Sequence, residues 1–273
     1  MAEKDFGPSA LRTLGIDRRV FWVLLVFSLL LPTFGWAQPP VATDATWQQR
    51  HAEAKKSAEP GAQVALLSQG FLGMPYVEAP LRGSSSQSEC LINDLTRIDC
   101  FTLLDFVETL RRAPNLMDFD QQLLKVRYRN GELSYQTRNH FFSAWGEANH
   151  PHLRDLTGEI AGAQAVTLNK TLNLKQNGDR WLEGLPVQEI QLRYLPTPAL
   201  DEATQALLQS GDYLGIVSPL AGLDVSHTGI LIRKDGILYL RHASSRPETR
   251  KVLDEPLIPY LKGKLGLLVF RPQ

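Results

Sequence analysis

The sequence predicts an α+β fold, with helices first and an antiparallel sheet after them. Three observations carry this. Leu103, Leu104, Val107 and Leu110 follow Asp99-Cys100 at the spacing of a helix packed on one face. Asp235-Gly236 lies between two strand-like runs, Thr228 to Arg233 and Ile237 to Arg241, which is a hairpin signal. Between helix and hairpin lie residues 113–195, read as a large insertion of loops and strands that walls a groove.

The 273 residues suffice for one large domain or two small ones, and a hydrophobic content of 43% is that of a packed globular protein. The 29 basic residues balance 29 acidic ones, so no basic field points to nucleic acid as a partner. Residues 1–37 differ from the rest. Lys4, Arg12, Arg18 and Arg19 precede an apolar run, Val20 to Leu31, and Pro32 and Gly35-Trp36-Ala37 follow it. A charged start, a short apolar middle and a small-residue exit read as a secretory signal peptide. The run is short for a membrane span, an uncleaved anchor being the alternative. The mature chain is expected to begin near Gln38 in a periplasm-like compartment, without stable membrane insertion.

Residues 38–58 read as a flexible leader and a short helix, Trp47 to Lys56, preceding a domain over 59–273. A helix over Ala62 to Gln69 ends where Gly70, Gly73 and Pro75 break the period. Glu89 to Asn93 reads as a short strand before the cysteine helix, and Leu123 to Tyr128 as another after it. Val166 to Leu174 and Val187 to Tyr194 alternate as strands do. Asp201 to Gln209 is a predicted helix, and Tyr213 to Val217 and Leu265 to Phe270 are predicted strands.

The chemistry-bearing stretch is Asp99-Cys100. Asp99 is suited to cap the helix, which puts Cys100 at the positive end of its dipole, where thiolate is favoured over thiol. The hairpin begins at His227 and ends at His242, so the two imidazoles come near each other on adjacent strands in either register of its turn. One imidazole can take the thiol proton while the other orients it. Cys100 is then the candidate nucleophile, His227 the base and acid, and His242 the orienter. The unpaired Cys100 amide is a natural oxyanion donor. A disulfide between Cys90 and Cys100 is the competing reading for an exported chain.

Several blocks together resemble a known family. Asp99-Cys100-x-Thr102, Ser226-His227-Thr228-Gly229-Ile230 and Leu240-Arg241-His242-Ala243-Ser244 resemble the signature blocks of NlpC-type cell-wall cysteine peptidases. Gly73-Met74-Pro75-Tyr76 resembles the segment upstream of their cysteine. The branch most similar is the N-acetylmuramoyl-L-alanine amidase-like one, echoed also by Val126 to Gly131, Arg138 to Trp145, Asp155-Leu156-Thr157 and Ser210-Gly211-Asp212. The resemblance implies a papain-like NlpC-type core, no cofactor or metal, and peptidoglycan or muropeptide as substrate. It implies Cys100, His227 and His242 as catalytic residues, with Tyr76 and Asp99 beside the substrate. The usual Thr-Phe-Val-Glu is here Thr102-Leu103-Leu104-Asp105. Within the aromatic block at 135–145, Arg138 is expected to pair with a stem-peptide carboxylate and Trp145 to line the groove.

Three other readings compete. An endopeptidase cutting between D-glutamate and the diamino acid uses the same triad. A zinc amidase would draw on His140, His150 and His152, although no His-Glu-x-x-His motif is present. A non-catalytic wall-binding module would keep the fold and lose the thiol.

Overall fold

An eight-stranded antiparallel sheet divides two apolar layers in the computed structural model. Residues 41–273 are described, so the expected signal peptide over 1–37 lies outside the described residues. In chain order the elements are α1 (Ala45–Ala54), α2 (Pro60–Gln69), α3 (Cys100–Arg112), α4 (Phe119–Arg127), α5 (Phe142–Ala148), β1 (Leu153–Asp155), α6 (Thr157–Ala161), β2 (Val166–Leu172), β3 (Gln188–Pro196), α7 (Glu202–Leu207), β4 (Tyr213–Val217), β5 (Val225–Lys234), β6 (Ile237–Ala243), β7 (Val252–Pro256), α8 (Leu257–Tyr260) and β8 (Gly266–Pro272). The strand order is β2-β3-β8-β4-β5-β6-β7, with β1 paired to β8. This is the expected α+β class. No helix among the described residues is long and apolar enough to cross a membrane.

The sheet's pleat decides which side each residue serves. Tyr213, Ile230, Ile232, Leu268 and Phe270 join the layer built by α1 to α5. Leu214, Ile216, Leu231, Leu240, Leu267 and Val269 join the opposite layer with α6 and α8. The two sets alternate along each strand, as a period of two requires.

The central helix is buried far more completely than a one-face stripe implies. Ten of its residues, Thr102 to Arg111, are buried, charged ones included. Those charges are neutralised locally. Asp105 accepts from Arg127 Nε at 2.7 Å and Trp145 Nε1 at 3.1 Å, tying α3 to α4 and α5. Glu108 accepts from Arg111 and from the Tyr213 hydroxyl at 2.9 Å, tying α3 to the sheet. Thr102-Leu103-Leu104-Asp105 thus places its acid in the interior as an anchor.

Several expectations are corrected. The run Leu123 to Tyr128 is helical through Arg127, with Tyr128 extended at its end, because Phe119, Leu123 and Val126 repeat at helical spacing and are all buried on one side of α4. Glu89 to Asn93 forms only an isolated bridge, Cys90 to Arg82. The Glu89 carboxylate there turns to Tyr128 and Arg138, and the Ile92 carbonyl accepts from Arg127. Residues 113–195 are no mere groove wall: Phe119, Leu123, Val126, Phe142 and Trp145 belong to the main core. The helix of the expected leader is also part of that core. Trp47 packs on Phe71 with ring centroids 4.8 Å apart, and His51 bonds the Ala113 carbonyl at 3.0 Å.

Arg127→Met leaves the Asp105 carboxylate buried without its charge partner, and is expected to lower stability by about 3–5 kcal/mol. Chemical denaturation measures this, and a loss below about 1 kcal/mol would show that Asp105 is no anchor.

Candidate active site

Asp99 builds the start of α3. Its Oδ1 accepts from the Phe101 amide at 3.0 Å and the Thr102 amide at 2.7 Å, while Thr102 Oγ1 accepts from the Asp99 amide at 2.8 Å. This reciprocal capping box satisfies amides that a helix start otherwise leaves unpaired. Every described hydrogen bond to the carboxylate falls on Oδ1.

The hairpin turn is Asp235-Gly236, with φ of 49° and 79°, the left-handed pair of a tight hairpin. Ile230 therefore faces Arg241 and Lys234 faces Ile237. Continued along the strands, this register sets Gly229 opposite His242, and His227 becomes the diagonal neighbour of His242 on the same face. The rings stand nearly perpendicular, at 87°, with centroids 4.8 Å apart. His227 Nε2 lies 2.7 Å from His242 Nδ1. A bulge between Ile216 and Val217 on β4 shifts the pairing just where His227 begins the hairpin.

The histidines project from the sheet face that carries α8, and Cys100 comes from the helix layer on the other face. They approach each other at the start of β5. Thr228 Oγ1 donates to the Cys100 carbonyl at 2.7 Å, and His227 is the preceding residue. Tyr260 of α8 stands beside both imidazoles, at ring distances of 5.3 Å and 6.1 Å. No described hydrogen bond joins the Cys100 sulfur to His227.

The electrostatics correct the expectation of a stabilised thiolate. Burial pushes the Cys100 thiol up to about 12, and the Asp99 carboxylate adds to the shift. The hydroxyl and amide of Thr228 and the amide of Cys100 itself oppose it. Burial holds His227 down at about 3, with His242, Arg246 and Lys264 acting in the same direction. Both shifts favour the uncharged forms of thiol and imidazole. Both cysteines are free, Cys90 being exposed and Cys100 partly covered.

Tyr76 stands by Cys100 because its segment is stitched to two elements. Its amide donates to the Arg250 carbonyl at 2.9 Å, and the Val77 amide donates to Ile98 at 2.7 Å. Burial, then Cys100 and Asp99, push the Tyr76 hydroxyl up to about 12, so it remains a donor.

Two of the expected substrate contacts, Trp145 and Arg138, are engaged elsewhere. Trp145 is fully buried and bonded to Asp105, so it lines no groove. Arg138 pairs with Glu89 at 3.0 Å and lies over Tyr135, fastening the serine-rich loop. His140 bonds the Tyr135 carbonyl, and among the described residues no three His, Cys, Asp or Glu side chains converge to hold a metal. Two residues that sequence reasoning passed over are present. Glu255 lies 3.2 Å from His242 Nε2. Arg250, whose φ of 33° is unusual for a residue with a side chain, lies 5.2 Å from the centre of the Tyr76 ring and makes no ion pair among the described residues. Both lie in 250–255, a short stretch of mixed charge after a loop, with no motif to single them out.

Comparison with known proteins places this arrangement. A solved N-acetylmuramoyl-L-alanine amidase from Bacteroides uniformis is 26% identical, with a TM-score of 0.65 over 78% of this chain and 99% of that one. A protein from Bacteroides fragilis described as a putative xylanase is also 26% identical, with a TM-score of 0.62 over 75% and 98%. A Legionella pneumophila protein of a family of unknown function, 22% identical, shares the fold with a TM-score of 0.69 over 82% and 92%. No curated protein matches the chain. The model of the AmiA-like family, described as N-acetylmuramoyl-L-alanine amidase-like, matches residues 66–267. The chain belongs to the N-acetylmuramoyl-L-alanine amidase-like family.

Proposed function

We propose that this protein is an exported cysteine amidase of the NlpC-type, papain-like class, working in the periplasm on peptidoglycan fragments. Cleavage falls between the lactyl group of muramic acid and the L-alanine of the stem peptide. The observation that carries the reading is the His227–His242 contact beside a helix-start cysteine docked by Thr228. The family and the amidase from Bacteroides uniformis support the substrate class.

His227 Nε2 is engaged by His242, which leaves Nδ1 as the nitrogen for the thiol. As the sulfur attacks the lactyl carbonyl carbon, its proton passes to His227 Nδ1. The Cys100 amide, at the helix start, is placed to stabilise the oxyanion. The carbon–nitrogen bond breaks, and the proton on His227 goes to the leaving L-alanine amine. Water then attacks the thioester with His227 as base, releasing the lactyl carboxylate and restoring the thiol. Asp99 and Tyr76, which interact electrostatically with Cys100, and Arg250, whose guanidinium lies over the Tyr76 ring, are candidate substrate contacts. Arg250 takes the carboxylate-binding role first expected of Arg138.

A defined muropeptide analysed by mass spectrometry tests the assignment. The expected products are free muramyl sugar and a stem peptide beginning with L-alanine, with all cleavage lost in Cys100→Ala. Release of an L-alanyl-D-glutamate dipeptide would replace the amidase reading with the endopeptidase one.

A neutral resting pair has a kinetic signature. At pH 7 Cys100 is expected to react with iodoacetamide more slowly than a free thiol of ordinary pKa, about 8.5, because less of it is thiolate. The acid limb of kcat/KM should fall below the ordinary histidine range of about 6.5, since His227 protonates only at lower pH. Alkylation faster than the free thiol would mean a thiolate–imidazolium pair.

A further inference from the structure

Resting on that reading of the site, we infer that Glu255 is a positioning residue: it accepts the Nε2 proton of His242, and so sets both imidazoles in the tautomers that leave His227 Nδ1 bare. His227, His242 and Glu255 occupy three consecutive strands, β5, β6 and β7. Leu240 faces Glu255 and Leu253 faces His242, so Glu255 is the diagonal neighbour of His242, as His227 is on its other side. The three side chains form one diagonal row across a single face of the sheet. The adjacent Asp254 points to the other face and is held by Arg241 at 2.7 Å.

The proton positions follow from what each group can do. Glu255 is held below the usual carboxylate range: burial resists ionisation, but the Arg246 hydrogen bond and charge, then His242, outweigh it. An ionised carboxylate only accepts. His242 Nε2, 3.2 Å away, must therefore carry the proton. Burial keeps His242 below its ordinary value despite the Glu255 bond, so its ring is neutral near pH 7 and Nδ1 is bare. A bare Nδ1 at 2.7 Å requires N–H on His227 Nε2. The neutral His227 ring then has its lone pair on Nδ1, the nitrogen left for the thiol proton. Without an acceptor at 255 the opposite array is open. His242 would donate from Nδ1, His227 would carry its proton on Nδ1, and the base would be blocked.

Arg246 holds the carboxylate in place. It bonds Glu255 and lies over the Tyr260 ring at 5.6 Å, and Tyr260 packs beside both imidazoles. Arg246 and His242 both meet Oε2, while Oε1 has no described partner. An amide at 255 can therefore serve both through its oxygen, with its NH2 turned toward the Oε1 side.

The test compares Glu255→Leu with Glu255→Gln, using muropeptide kinetics and nitrogen-15 NMR of the imidazoles. In the parent protein near pH 7, Nε2 of both histidines should carry the proton. Glu255→Leu should lose that pattern and lower kcat by about 10²-fold with KM little changed, while Glu255→Gln should keep the pattern and most of kcat. A proton on His242 Nδ1 in the parent overturns the inference, even if the leucine variant does not fold. So does a leucine variant with unaltered tautomers or unaltered kcat. If Cys100→Ala stays active, the thiol mechanism fails, whereas the NMR result judges Glu255 independently.

Discussion

The hydrogen bond from Thr228 to the Cys100 carbonyl joins the two halves of the molecule at the site. Cys100 belongs to a helix buried along almost its whole length, and the histidines belong to the far face of the sheet. Only at the start of β5, where a bulge shifts the pairing with β4, do the two approach each other. The buried charges of α3 serve this junction. Asp105 holds α4 and α5, and Glu108 holds Arg111 and Tyr213. A helix clamped on every side cannot slide, so its first residue stays in place. Buried ion pairs are weak sources of net stability, but they penalise alternative packings because each charge would lose its partner.

Desolvation sets the chemical character of the site. The same covering that positions the thiol removes water from it, and the nearby Asp99 carboxylate works against a second negative charge. His227 is kept neutral for the matching reason. On the mechanism proposed above, proton placement on the imidazoles is decisive, and the diagonal row that ends at Glu255 would meet that need.

The aromatic block at 135–145 shows how a motif's residues divide. Ser143 donates from its amide and hydroxyl to Asp224, at 2.7 Å and 2.8 Å, and so anchors the loop that leads into β5. Trp145 is interior, and Arg138 closes a surface loop. The block supports the site from behind. A cation over the Tyr76 ring comes from Arg250, whose carbonyl also holds the Tyr76 amide.

The sequence by itself determined what local chemistry controls. The Asp99 cap, the cysteine at the helix start, the Asp235-Gly236 turn and the nearness of His227 to His242 all follow from neighbours within one element or one hairpin. The α+β order and β4 as Tyr213–Val217 were legible for the same reason. Only the tertiary structure decided the rest. Periodicity in Leu123 to Tyr128 is ambiguous until Phe119 is seen on the same buried face. Trp145 and Arg138 could not be sorted into core and surface before their partners Asp105 and Glu89 were placed. Burial raises the thiol's pKa where the helix start alone would lower it, because a helix dipole is local, whereas desolvation depends on everything packed around the sulfur. Glu255 stayed hidden because its register opposite Leu240 exists only once a third strand joins the hairpin.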